Sequence, residues 1–102
     1  MTEDLNIGLR LSLQRALLGQ VTPNLRAVAA KWKENIILIR YIIDGEITEE
    51  MRDNCYCVGT VVISDFSSPC MIDELFERLD APEPLKINMQ EGWFWAYMRK
   101  EN

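Results

Sequence analysis

The sequence predicts a single α+β domain over residues 1–102, with two helices packed on one face of a mainly antiparallel four-stranded sheet. Two segments carry apolar residues at helical spacing, a run of isoleucines is typical of a central strand, and aromatic residues alternate near the C-terminus. The predicted element order is α-β-β-α-β-β. With 102 residues, 48% of them hydrophobic, the chain can bury one core.

The first predicted helix runs from Leu5 to Leu18, where leucines recur at helical spacing. Gly19 follows at the position where a glycine commonly ends a helix. Leu11 and Leu18 widen the apolar stripe, so we expect this helix to be well buried.

Two strands are predicted next, at Leu25–Lys33 and Ile36–Asp44. The second is almost continuously aliphatic, which is typical of a central strand. Glu34 and Asn35 form a plausible two-residue turn because asparagine tolerates a positive φ. The pair therefore reads as a hairpin.

The second predicted helix begins after Thr48, a residue type that caps helices, and ends before Ser67–Pro69. Glu49 and Glu50 in its first turn complement the helix dipole. Five apolar residues then recur at helical spacing: Met51, Cys55, Val58, Val62 and Phe66.

The segment at residues 70–80 is ambiguous between helix and strand. Ile72, Leu75, Phe76 and Leu79 fit one helix face, which favours a helix locally. A stable sheet, however, usually needs three or four strands. We therefore predict a strand, followed by a long loop that leads into the final strand.

In the final strand, Trp93, Trp95 and Tyr97 would share one face and Phe94, Ala96 and Met98 the other. A platform for single-stranded nucleic acid would interleave its rings with basic residues, whereas here Arg99 and Lys100 follow them. We interpret the strand mostly as core, and a protein interface stays open as an alternative.

The composition argues against most enzyme classes. The chain has no histidine, so Ser-His-Asp and Cys-His sites are excluded. Its three cysteines have no metal-binding or redox spacing, so we expect reduced thiols and no metal or other cofactor. It has neither a signal-peptide pattern nor an apolar run long enough to cross a membrane. A cytoplasmic, non-enzymatic protein with no membrane contact is expected.

Charge is distributed unevenly along the sequence. The balance is +3 over residues 1–43, −9 over residues 44–91 and +1 over the remainder, for a net charge of −5. A region this acidic repels nucleic acid and attracts basic proteins. We therefore expect a basic protein partner and no direct contact with nucleic acid.

Two groups of carboxylates are the candidate partner-binding residues, with Trp93 or Trp95 as an apolar anchor. A merely solvated acidic surface is the simplest alternative. A paired-carboxylate catalytic site or a divalent cation site would need a convergent geometry that the sequence does not reveal. The candidates are Glu46, Glu49, Glu50 and Asp53 near the start of the second helix, and Asp73, Glu74 and Glu77 in the ambiguous segment.

Several separated segments resemble small immunity proteins of bacterial contact-dependent growth inhibition and related toxin systems. These segments are LRLSLQRALLGQVTPNLRAV (residues 9–28), IILIRYIIDGEITEEMRD (residues 36–53), ERLDAPEPL (residues 77–85) and GWFWAYMRKE (residues 92–101). The resemblance implies a cytoplasmic antitoxin without catalytic residues, which binds the C-terminal toxin domain of a large exported protein. Such toxin domains are often basic nucleases that act on RNA.

Two other functions stay open on sequence alone. The acidic half would also suit an adaptor domain that binds some other protein. A small ligand-binding domain or enzyme would require a polar pocket between the sheet and the helices.

Overall fold

Two helices lie on one face of a four-stranded sheet in a computed structural model that describes residues 2–66, 70–85 and 92–101. The predicted α+β fold and the predicted element order are both confirmed. The elements are α1 (Thr2–Leu17), β1 (Leu25–Lys33), β2 (Ile36–Ile43), α2 (Glu49–Ser64), β3 (Met71–Arg78) and β4 (Phe94–Met98).

The core lies between the helices and the sheet face that they cover. From the helices, Leu9, Leu13, Val58 and Val62 are each at most 2% exposed. The buried residues of the helices and the central strand include Leu9, Leu13, Leu17, Ile37, Ile39, Val58 and Val62.

The prediction that α1 is buried along a wide stripe is wrong. Leu11 is 62% exposed and Leu18 is 76% exposed, because only the narrower face with Leu9, Leu13 and Leu17 meets the core. Gly19 has φ +80°, the left-handed conformation expected after a helix end.

The strands lie in the order β3-β2-β1-β4. β1 pairs with β2 and with β4 in antiparallel fashion, whereas β2 and β3 are parallel. A parallel pair needs a crossover connection, and α2 supplies it between β2 and β3. The carboxyl ends of β2 and β3 therefore lie side by side, near the start of α2.

β3 resolves the ambiguous segment as a strand. Its residues pair with β2 in unbroken register from Ile36–Met71 to Ile43–Arg78. Its side chains alternate between the helix-covered face and the opposite face, which we call the open face. Local periodicity favoured a helix, but pairing with an aliphatic central strand outweighs that preference.

The hairpin turn differs in detail from the prediction. Glu34, rather than Asn35, has the positive φ, at 57°. The turn geometry therefore places its strained position on the residue that is less tolerant of it.

A bulge in β4 overturns the predicted alternation of its side chains. The register shifts between Val28–Tyr97 and Ala29–Trp95, so the strand has an extra residue at this point. As a result, Phe94 and Tyr97 pack against the helix-side core, while Trp95 pairs across from Ala29 on the open face. Trp95 and Tyr97 thus lie on opposite faces.

Replacing Leu13 by alanine should lower the free energy of unfolding by about 2–5 kcal/mol, because Leu13 is fully buried and its loss leaves a cavity. Leu11→Ala on the same helix is the matched control, with an expected change within about 0.5 kcal/mol. Urea denaturation measures both. Equal losses for the two variants would show that α1 does not direct Leu13 towards the core and Leu11 towards solvent.

Candidate protein-binding surface

Several exposed carboxylates lie around the start of α2. The Thr48 hydroxyl accepts a hydrogen bond from the Met51 amide at 3.2 Å and so fixes where the helix begins. Four exposed carboxylates surround this point, and we call them the acidic end: Glu46, Glu49, Glu50 and Asp53. Glu49 and Glu50 lie four and three residues before Asp53, so the three share one exposed side of the helix.

The acidic end has no ion-pair partner within the described ranges. Two carboxylates that follow β2 and β3 are paired within the molecule: Asp44 with Arg99 at 3.1 Å, and Asp80 with Arg78 at 3.0 Å. Their charges are therefore compensated by ion pairs within the molecule. The acidic end has no described ion pair, although Glu46 attracts Arg78 at longer range.

The structure separates the three predicted carboxylates of β3. Asp73 is exposed on the open face, in register with Leu38. Glu77 lies on the same face but forms an ion pair with Arg40 at 2.7 Å. Glu74 points the other way, towards α2, and so is not on the same surface as its two neighbours.

Glu74 has a structural environment between β3 and α2. The Tyr41 hydroxyl oxygen lies 2.7 Å from Glu74 Oε2 and 3.1 Å from the Cys55 carbonyl oxygen, so its single proton is shared between these two acceptors, with Glu74 the closer. A methyl group on Gly59 would overlap the Glu74 carboxylate, so the glycine makes room for it. Burial raises the pKa of Glu74, partly offset by the Tyr41 hydrogen bond, and the nearby charge of Asp73 raises it further.

The raised pKa of Glu74 predicts a pH-dependent difference between the native chain and Glu74→Gln. Because the folded-state pKa lies above the unfolded value, the contribution of Glu74 to stability is fully present below the unfolded pKa. It is lost as pH rises through the folded pKa. The glutamine does not titrate, so Glu74→Gln should gain stability relative to the native chain between pH 4 and pH 8.

Urea unfolding at the two pH values measures this difference. Glu34→Gln is the control, since it makes the same substitution at an exposed carboxylate of the β1–β2 turn that does not contribute to the Glu74 shift. Parallel pH profiles for the native chain and Glu74→Gln would contradict a desolvated Glu74 carboxylate.

The two predicted tryptophan anchors differ in accessibility. Trp93 is 8% exposed, and its ring covers cations of the open face, with Lys31 Nζ at 4.8 Å and Arg40 Cζ at 5.3 Å from the ring centroid. Trp95 is partly exposed on the same face. Trp95 is therefore better placed than Trp93 to touch a partner.

Sequence reasoning missed three exposed apolar residues beside β3. Met71 is 63% exposed and Leu75 is 42% exposed, both on the open face. Tyr56 of α2 is 47% exposed and is held edge-on against Phe76, with ring centroids 5.5 Å apart. Their exposure depends on β3 being an edge strand, which the sequence left ambiguous.

A cleft lies beside α1 and the end of α2. It has a volume of about 330 Å³ and lies beside Leu11, Ser12 and Phe66. Arg15 and Asp65 form an ion pair at the side of the cleft. The hydrogen bond from Ser12 is the main cause that lowers the pKa of Asp65, and the contact with Arg15 lowers it further. The polar side chains Ser12, Arg15 and Asp65 bond to one another in this cleft. The cleft does not lie between the sheet and the helices, where the alternative of an enzyme or ligand-binding domain would need a pocket.

Metal chemistry finds no support in the parts that the structure describes. No group of three potential ligands (cysteine, aspartate, glutamate or histidine) converges there. Cys55, Cys57 and Cys70 are unpaired. Neither α1 nor α2 has the length and apolar character that crossing a membrane requires.

The fold and its surface thus define a small α+β domain whose distinguishing feature is an uncompensated acidic surface. Comparison with protein-family models shows that the chain belongs to the MafI2 immunity protein family, whose model matches residues 6–101. A search of curated proteins finds no match.

This membership confirms the class predicted from the sequence, a small toxin-immunity protein. The chain is a toxin-neutralising immunity protein, and its partner is a cognate toxin protein. The family points to an inhibitor that acts by binding rather than by catalysis.

Proposed function

We propose that this immunity protein acts in the cytoplasm on a basic, RNA-cleaving nuclease domain, and that it covers the active site or the RNA-binding surface of that domain. The toxin would belong to a contact-dependent growth inhibition system or a related one. The observation that carries the proposal is the acidic end, with four exposed carboxylates and no ion-pair partner among the described residues.

The physical argument is charge complementarity. A nuclease binds a polyanion, so its substrate surface is basic. An inhibitor that presents uncompensated carboxylates is steered towards that surface and competes with RNA for it. The inhibitor itself then needs neither catalytic residues nor contact with nucleic acid.

Not every predicted carboxylate serves this contact equally. The acidic end and Asp73 offer charge without a described counterion, whereas Glu77 is paired with Arg40 and Glu74 is turned inward. Trp95 offers partly exposed apolar area for the contact. Trp93 could take part only by leaving its packing over Lys31 and Arg40.

The test uses the cognate toxin domain of this chain, identified by the protein that co-purifies with it. Cells that express the toxin should grow only when this chain is co-expressed. In vitro, an equimolar amount of the chain should abolish RNA cleavage by the purified domain. A toxin that the chain neutralises in cells but that does not cleave RNA would contradict the nuclease assignment while leaving the immunity role intact.

A further inference from the structure

The outer edge of β3 carries backbone groups that no described strand satisfies. β3 is the last strand in the sheet order and pairs with β2 on one side only. The Met71 amide donates to the Asn35 carbonyl oxygen, and the Leu79 amide donates to that of Ile43. Because backbone groups alternate along a strand, the odd-numbered residues face β2. Four residues therefore direct their N–H and C=O groups outward: Ile72, Glu74, Phe76 and Arg78.

This edge has only part of the usual protection against strand pairing, namely charged residues that include the inward-pointing Glu74. Its register with β2 has no bulge, and the segment MIDELFER contains no proline and no lysine. Exposed apolar side chains flank it on both sides: Met71 and Leu75 on the open face, and Tyr56 on the helix side. Natural edge strands are normally blunted, so an open edge with apolar flanks suits a strand-pairing partner.

A second copy of this chain is opposed by like charges in two of the self-pairing registers. Antiparallel self-pairing must match outward-facing residues with one another. The register centred on Leu75 puts Asp73 opposite Glu77 twice, and the register centred on Glu74 puts Glu74 opposite itself. The register centred on Phe76 instead puts Glu74 opposite Arg78. Like charges directly opposite each other destabilise a sheet. The same carboxylates would favour a strand that carries basic residues.

The acidic end lies next to this edge. In the parallel pair, Arg78 at the end of β3 is level with Ile43, just before the turn into α2. Arg52 and Tyr56 of α2 both contact the ring of Phe76, so the first half of α2 lies alongside β3. A basic partner drawn to the acidic end is therefore brought close to the C-terminal half of β3.

We propose that the free edge of β3 takes up an extended segment of the toxin domain as a fifth strand of the sheet. This inference rests on the proposed function, because it takes the occupant to be the basic toxin. On the open face the added segment presents apolar side chains towards Met71 and Leu75 and a basic side chain towards Asp73. Backbone hydrogen bonds supply the binding, and this alternation supplies the selectivity.

Residue-resolved hydrogen exchange tests the proposal without any substitution. In the free protein the amides of Ile72, Glu74, Phe76 and Arg78 should exchange rapidly, and those of Asp73, Leu75 and Glu77 slowly. In the complex with a catalytically inactive toxin domain, the first set should slow by about tenfold or more as its amides gain partners. The second set, already bonded to β2, is the internal control.

The outcomes separate the two levels of the argument. A tight complex in which the outward amides keep their free exchange rates would overturn strand addition and leave the proposed function standing. Failure of the toxin to bind at all would remove both. Asp73→Lys gives an independent check, since placing a cation beside the basic side chain of the added strand should weaken the complex without altering exchange in the free protein.

Discussion

Replacing Arg26 by methionine should lower the free energy of unfolding by about 2–4 kcal/mol, since two carbonyl oxygens and a half-buried carboxylate lose a buried donor. Arg26 is 2% exposed. Its guanidinium donates to both carboxylate oxygens of Glu101 at 2.8 Å, to the Leu79 carbonyl oxygen at 2.7 Å and to the Glu83 carbonyl oxygen at 2.8 Å. It thereby ties β1 to the segments that follow β3 and β4, and methionine satisfies none of these acceptors.

Arg78→Ala is the control for this prediction. Arg78 pairs with Asp80 at 3.0 Å, but both side chains are about half exposed, at 57% and 47%. Exposed pairs contribute at most about 1 kcal/mol, so this variant should unfold nearly as the native chain does. Urea denaturation compares the two, and similar small losses would show that the Arg26 network does not hold the chain together.

The same network predicts a response to acid. Hydrogen bonds from Arg26, and secondarily from Arg99, lower the pKa of Glu101 to about 2. Because the folded pKa lies below the unfolded one, the contribution of Glu101 is present above the unfolded pKa. It is lost as pH falls through the folded pKa. Arg26→Met should therefore flatten the loss of stability between about pH 4.5 and pH 2.

Reversing two charges of the acidic end, with Glu50→Lys and Asp53→Lys together, should slow association with the toxin by about tenfold or more at low salt. The expected cause is loss of electrostatic steering, so the difference should shrink as salt rises. Both side chains are exposed and have no described ion-pair partner. Unfavourable placement of cations near the start of α2 should cost only about 0.3–1 kcal/mol of folding stability each.

Glu34→Lys is the matched control for Asp53→Lys, because each variant changes the net charge by the same amount. Glu34 is exposed in the β1–β2 turn, at the opposite end of β2 from the acidic end. Stopped-flow association should be slowed by Asp53→Lys and changed much less by Glu34→Lys. Equal slowing by both would mean that net charge, rather than the acidic end, guides the encounter.

The helices and the central strand were predictable because their patterns are local. Leu9, Leu13 and Leu17 repeat at helical spacing, and the isoleucines of β2 suit a strand covered on both sides. In both cases the side that is buried determines which neighbouring positions in the sequence are apolar, so the pattern is visible in the sequence. The same holds for Thr48, whose capping role depends only on the residues just after it.

The remaining features depend on contacts between distant parts of the chain. Arg26 reads as one more cation of the basic first part, yet Glu101, 75 residues away, neutralises it. In the sequence, Glu74 resembles a surface carboxylate beside Asp73. In the structure it is hydrogen-bonded to Tyr41 and packs against Gly59 of α2. No sequence period reports such pairings.

One extra residue also changed the final strand. Strict alternation assigns Trp95 and Tyr97 to one face, whereas the bulge at this point in the pairing with β1 turns them to opposite faces. Bulges shift every later side chain by one position, and composition does not signal them. Candidate anchors in this strand therefore needed the structure.

The most direct test of the central claim, that uncompensated carboxylates bind a basic toxin, is the association rate of the native chain with its toxin domain as a function of ionic strength. Electrostatic steering predicts that the rate falls by at least about tenfold between low and high salt, because screening shortens the reach of exposed charges. A rate that stays constant across that range, with tight binding throughout, would contradict the claim even though the immunity role would stand.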